Sequence, residues 1–148
     1  MNISPPKQLD SGEITSNGES LLQRPEVLEG STYKIPATNN SASFYVTINN
    51  ITLNGRHRPF EMFANSKNMK NFEWVTALTR LASAVMRREE NVAFLVAELQ
   101  SIFDAKGGYY RPGGKWVNSV VAEIGDCLEE HLIKIGMIPS DGENQRSA

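Results

Sequence analysis

Cysteine is nearly absent from this chain: Cys127 is the only one in 148 residues. A lone thiol closes no internal disulfide, and it excludes a Cys-x-x-Cys redox pair and a cysteine-based zinc cluster. Histidine is almost as scarce. His57 and His131 stand far apart in the sequence and together make a poor metal set. No apolar run approaches the roughly 20 residues that a membrane helix needs, and the N-terminus lacks the basic-then-apolar pattern of a secretory signal. There is no excess of positive charge either. Fifteen Lys and Arg against 17 Asp and Glu give a formal net charge of -2 and a pI of about 5.7. Broad electrostatic binding to nucleic acid is therefore not indicated, although a locally basic pocket is compatible with these numbers. The expectation is a protein of a reducing, cytoplasmic compartment.

What is present suits one domain. A hydrophobic content of 40 % can build a core at this length. Residues 1–29 are rich in Ser, Gly, Pro, Asn, Gln and Glu, and bury too little to offset their ordering entropy, so they are predicted to form a flexible arm. Leu21, Leu22, Val27 and Leu28 are the apolar exceptions. Residues 30–136 are the predicted domain, and residues 137–148 a polar, disordered tail. Within the domain, residues 31–35 and 42–51 read as strands, the second with Phe44, Val46 and Ile48 on one face. Asn54-Gly55 is a hairpin signal, and residues 58–64 form the returning strand, with Pro59 at an edge. Three helices are predicted: residues 71–88, with Phe72, Val75, Leu78, Ala82 and Val85 inward; residues 91–103, with Ile102 and Phe103 on the apolar side; and one capped by Asn118 or Ser119 and stopped at Gly136. The fold class is thus α+β, an antiparallel sheet of about three strands followed by three helices packed on one face.

The stretch with most chemistry is FDAKGGYYRPGGKWV, residues 103–117. Gly107, Gly108, Gly113 and Gly114 let the backbone turn tightly or approach a ligand. Tyr109, Tyr110 and Trp116 can stack, and Arg111 and Lys115 carry charge. The mixture suits a phosphate-bearing ligand or a protein groove; it equally suits a tight hairpin between two helices with the aromatics as its lid. Ser66, Lys67 and Asn68 precede the first helix, where they can cap it or offer N–H groups to an anion. Arg80 is a cation among small and apolar neighbours. Cys127 and His131 are one helical turn apart, but both lie along an apolar stripe, which favours packing over a catalytic pair. The GxxxxGK[ST] phosphate loop is absent.

Six segments carry a family likeness: RPEVLEGSTYKI (24–35), YVTIN (45–49), RPFEMFANSKN (58–68), WVTALTRLASAVMRR (74–88), FLVAELQSIFDAKGGYY (94–110) and SVVAEIGDCLEEHL (119–132). Together they resemble the C-terminal TSCPD domain of class II, adenosylcobalamin-dependent ribonucleotide reductases. In that family the radical chemistry belongs to a large barrel with its cobalamin site and active-site cysteines. The TSCPD run that names the family is missing here, and residues 140–148 read SDGENQRSA, without the cysteine pairs of the family's usual tail. The resemblance therefore implies a non-catalytic accessory or regulatory module with no cofactor of its own. It would bind the large reductase chain, a nucleotide, or both. Independently of the resemblance, a lone small α+β domain with an uncovered sheet face is expected to form a homo-oligomer. The alternative is a stand-alone protein that sequesters a nucleotide, as phage-encoded inhibitors of host defence signalling do.

Overall fold

In a computed structural model of the chain, the residues described are 12–14, 20–36, 43–67 and 72–140. Two short strands, β1 (Gly12–Ile14) and β2 (Ser20–Leu22), pair antiparallel within the segment expected to be an arm. The central sheet is formed by β3 (Glu29–Ile35), β4 (Phe44–Leu53) and β5 (Arg56–Ser66), antiparallel and in that spatial order. The alternation of β4 does what a period of two demands: Phe44, Val46 and Ile48 are buried while Tyr45 faces outward. Ile48 pairs with Met62, and Val46 lies between Tyr33 and Ala64.

The β4–β5 hairpin is longer than the sequence suggested at the turn, and β5 runs on to Ser66, while β4 starts at Phe44. Asn54 and Gly55, with φ of 52° and 74°, form a two-residue turn whose twist suits the strands, so pairing begins at Leu53 and Arg56. Asn49 pairs with Glu61 and Asn50 with Pro59, which leaves Phe60 as the extra residue of a bulge. Proline, with no N–H to give, sits at that irregularity on an edge strand.

Helix α1 (Glu73–Arg88) lies along β5. Its buried face is Val75, Thr79, Ala82, Ser83 and Met86; Val75 and Ala82 belong to the predicted stripe, as does the buried Phe72 just before the helix, while Leu78 and Val85 are only partly covered and Thr79, Ser83 and Met86 take the inward places beside them. For Thr79 and Ser83 the hydroxyls explain this. Ser83 Oγ accepts from the Met62 N–H at 2.9 Å and lies 3.1 Å from the Met62 carbonyl, so it satisfies backbone on the outer edge of β5, which α1 buries. Thr79 and Ser83 also bond carbonyls one turn back, which lets them be buried. Arg58 closes the other end, donating to the Met86 and Glu89 carbonyls at 2.8 and 2.9 Å. The helix starts without a side-chain cap, with Phe72 in the cap position.

Helix α2 (Phe94–Gln100) is shorter than expected, because Asn91 Oδ1 accepts from the Ala93 N–H and holds a turn before it. Ile102 and Phe103 fall beyond its end and are 46 % and 73 % exposed, not on its apolar side. A two-rung hairpin, β6 (Tyr109–Tyr110) and β7 (Trp116–Val117), precedes α3 (Val120–Lys134). Ser119 caps α3 as predicted, accepting from the Ala122 N–H at 3.0 Å, and its hydroxyl also donates to the Ile102 carbonyl at 2.6 Å. Gly136, at φ 82°, ends the helix as the sequence indicated. α1, α2 and α3 cover one face of the sheet, where Ile48, Met62, Met86, Ile124, Leu128 and Leu132 make one core. Each fully buried side chain of that size contributes about 1.5–3 kcal/mol.

On the opposite face Glu61 is 1 % exposed. Arg24 grips both its oxygens, each at 3.0 Å, and Asn49 Nδ2 donates at 2.9 Å. Burial works to raise this carboxyl, but the bonds from Arg24 and Asn49 outweigh it and hold the group below its ordinary range.

Candidate functional site

The glycine-rich stretch is a hairpin docked on α3. Tyr109 pairs with Val117 and Tyr110 with Trp116. The Arg111 N–H donates to the Lys115 carbonyl at 2.8 Å, and Gly113 and Gly114 make the tip at φ 99° and 91°. Gly107 closes the preceding turn onto the Asp104 carbonyl at 2.9 Å. Gly108 runs so close to β7 that a Cβ there would lie 2.1 Å from the Val117 carbonyl oxygen, a contact no side chain can make.

The two cations of the hairpin both reach toward acids of α3, Arg111 partly buried and Lys115 along the surface. Arg111 Nε stands 3.0 Å from Glu123 Oε1, an ion pair that falls short of hydrogen-bond alignment. Tyr109 donates its hydroxyl to the other oxygen of the same carboxylate. Glu123 is 1 % exposed, so its charge depends on these two neighbours. Burial, with Glu123 alongside, pushes the Tyr109 hydroxyl well above its ordinary pKa. Lys115 Nζ lies 3.6 Å from Asp126 Oδ2, and Asp126 Oδ1 accepts from Gln100 Nε2 at 2.8 Å. The positive charge that suggested an anion nest is thus directed at α3.

The outer side of the hairpin is aromatic. Tyr110 and Trp116 meet edge to face at 5.0 Å, and they are 70 % and 49 % exposed. Trp116 Nε1 donates to Asn118 Oδ1 at 3.1 Å, which fixes the indole. Ile102 and Phe103 are exposed on the connection leading to it. Exposed aromatics with an apolar border are typical of protein-contact surfaces.

The other predicted residues are not gathered here. Ser66 is buried at the end of β5 and donates to the Ser43 carbonyl at 2.9 Å. Lys67 is exposed just beyond it, Arg80 is exposed along α1, and Asn68 lies outside the described residues.

Cys127 and His131 are both inside the core side of α3. Burial pushes the thiol up to about 12, with Glu123 adding to the effect. His131 is wholly buried, its Nδ1 2.9 Å from the Tyr33 hydroxyl and its Nε2 2.7 Å from Asn50 Oδ1. With Asn50 Oδ1 as acceptor, the imidazole carries its proton on Nε2 and receives the Tyr33 hydroxyl at Nδ1. Burial, aided by Lys134, lowers it to about 4. At neutral pH this is a protonated thiol and an uncharged imidazole whose two nitrogens are already bonded, a packing arrangement and not an activated nucleophile. Sequence reasoning missed Glu123, Asp126, Tyr33 and Asn50. Only Glu123 left a visible signal, a carboxylate between Ala122 and Ile124 on an otherwise apolar stretch.

Among the described residues no group of three or more His, Cys, Asp and Glu side chains could hold a metal ion, and no helix is long and apolar enough to cross a membrane. No curated protein and no solved structure matches the chain. The model of the TSCPD domain matches residues 13–132. That match takes in the central sheet, the docked hairpin and nearly all of α3, and the chain belongs to the TSCPD domain family.

Proposed function

We propose that this chain is a non-catalytic accessory module related to class II ribonucleotide reductase, and that it docks on the large reductase chain through the outer side of the β6–β7 hairpin. The observation that carries the reading is the division of that hairpin: Arg111 and Lys115 turned to acids of α3, Tyr110 and Trp116 left to solvent. A loop built to hold a free nucleotide would keep its cations for the ligand. A loop built to enter a protein groove spends them on its own rigidity and presents rigid aromatic anchors. The state of Cys127 and His131 also favours recognition over bond-making.

The test is co-purification of the tagged chain with the large chain of a class II reductase, in parallel with Tyr110→Ala/Trp116→Ala. The reading expects a complex with the native chain and its loss with the double variant, whose fold is checked by circular dichroism. Retention of the complex by a folded double variant would move the docking surface elsewhere. A rise in melting temperature with nucleotides that depended on Arg111 and Lys115 would replace this reading by a nucleotide-sequestering role.

A further inference from the structure

A groove of about 580 Å³ runs between the start of β3, the far half of β4 and the last turn of α3. This is within the range of small-molecule sites. Leu28, Ile51 and Ile135 supply apolar wall, and Asn50, His57 and Lys134 supply N–H donors.

The donors are set by what lies behind them. His131, wholly buried under the groove, donates to Asn50 Oδ1 at 2.7 Å and is itself fixed by the Tyr33 hydroxyl. That fixes the carbonyl end of the Asn50 side chain inward, and among the described residues its NH₂ has no hydrogen-bond partner. With the Thr52 hydroxyl donating to His57 Nδ1, 2.9 Å away, the neutral ring carries its proton on Nε2. Lys134 uses one ammonium proton on Ser31 Oγ at 2.8 Å and keeps two. An amide, an imidazole and an ammonium therefore line one groove with donors to spare, and a cation stands among them. The carboxylate of Glu29 lies on the same border.

We propose that this groove binds a small organic oxyanion with an apolar or aromatic body, its anionic group at Asn50, His57 and Lys134 and its body against Leu28, Ile51 and Ile135. His131 holds the Asn50 side chain in one orientation, so its donor end is set before any ligand arrives. The site shares no residue with the hairpin, so the inference stands apart from the docking reading.

The experiment is titration calorimetry on the full chain with phenyl phosphate, inorganic phosphate, benzoate and phenol. The expected result is heat from phenyl phosphate, weaker binding of inorganic phosphate, and a loss of about tenfold or more in affinity in both Lys134→Met and Asn50→Asp. Stronger binding of benzoate than of phenyl phosphate would also support the site and name a carboxylate as the group it takes. Tyr110→Ala/Trp116→Ala should bind as the native chain does. Because Asn50→Asp disturbs the partner of His131, the surface variant Lys134→Met serves as the control that keeps its fold. No heat with any anion, equal binding of phenol, or unchanged affinity in folded Lys134→Met would overturn the proposal.

Discussion

Glu123 shows how one side chain can decide the shape of a surface. A carboxylate that is 1 % exposed needs compensation, and the hairpin supplies it with Arg111 and Tyr109. Arg111→Ala removes the cation and leaves the charge buried with a single donor. The expected cost is about 2 kcal/mol, read as a lower urea midpoint at unchanged slope; a loss under about 0.5 kcal/mol would mean that the pair is no more than a surface contact. His131 gives a second prediction. Its pKa falls from 6.5 unfolded to about 4 folded, so below pH 6.5 the unfolded chain takes up a proton that the native imidazole refuses. The stability this group contributes is complete above pH 6.5 and is lost as pH falls toward 4, by an amount on the order of 2–3 kcal/mol. Urea unfolding across that window should show the decline in the native chain and a flatter profile in His131→Gln. Glu61, held below its ordinary range, adds its own loss at still lower pH.

At the scale of elements, sequence and structure agree where period and turn chemistry act alone. The alternation of β4, the Asn54-Gly55 turn, the Ser119 cap and the Gly136 stop were all legible, because each depends on neighbours in the chain. The buried face of α1 was legible only in part: Val75 and Ala82 lie inward as the spacing indicated, but the hydroxyls beside them were not expected there. Thr79 and Ser83 count as polar in any hydropathy pattern, and only the edge of β5 makes Ser83 an inward residue. The aromatic loop was legible as a site candidate, and its hairpin form was one of the two readings it allowed. The pairing of Arg111 and Lys115 was not legible, since it depends on acids that α3 brings from farther along the chain. The α2–α3 crossing shows the same limit. A Cβ on Gly125 would lie 2.9 Å from Leu99 Cβ and 3.1 Å from the Gln100 nitrogen. Gly125→Ala should therefore lower the melting temperature, although Ala in place of Gly within a helix ordinarily gains about 1 kcal/mol. A rise in melting temperature would show that the two helices can part without loss.

For the whole molecule, the layers assign the work. The core between sheet and helices holds shape, the lead-in to β3 is strapped to the opposite face by Arg24 and Glu61, and the hairpin hangs from α3 with its aromatic side outward. Family membership spans this whole assembly. The central claim, that the module works by docking through that hairpin, is tested most directly by amide hydrogen exchange on this chain, alone and with the large chain of a class II reductase. The account expects the largest gain in protection at residues 102–117, with the core strands unchanged. Protection confined to other segments, with residues 102–117 exchanging as in the free chain, would contradict it.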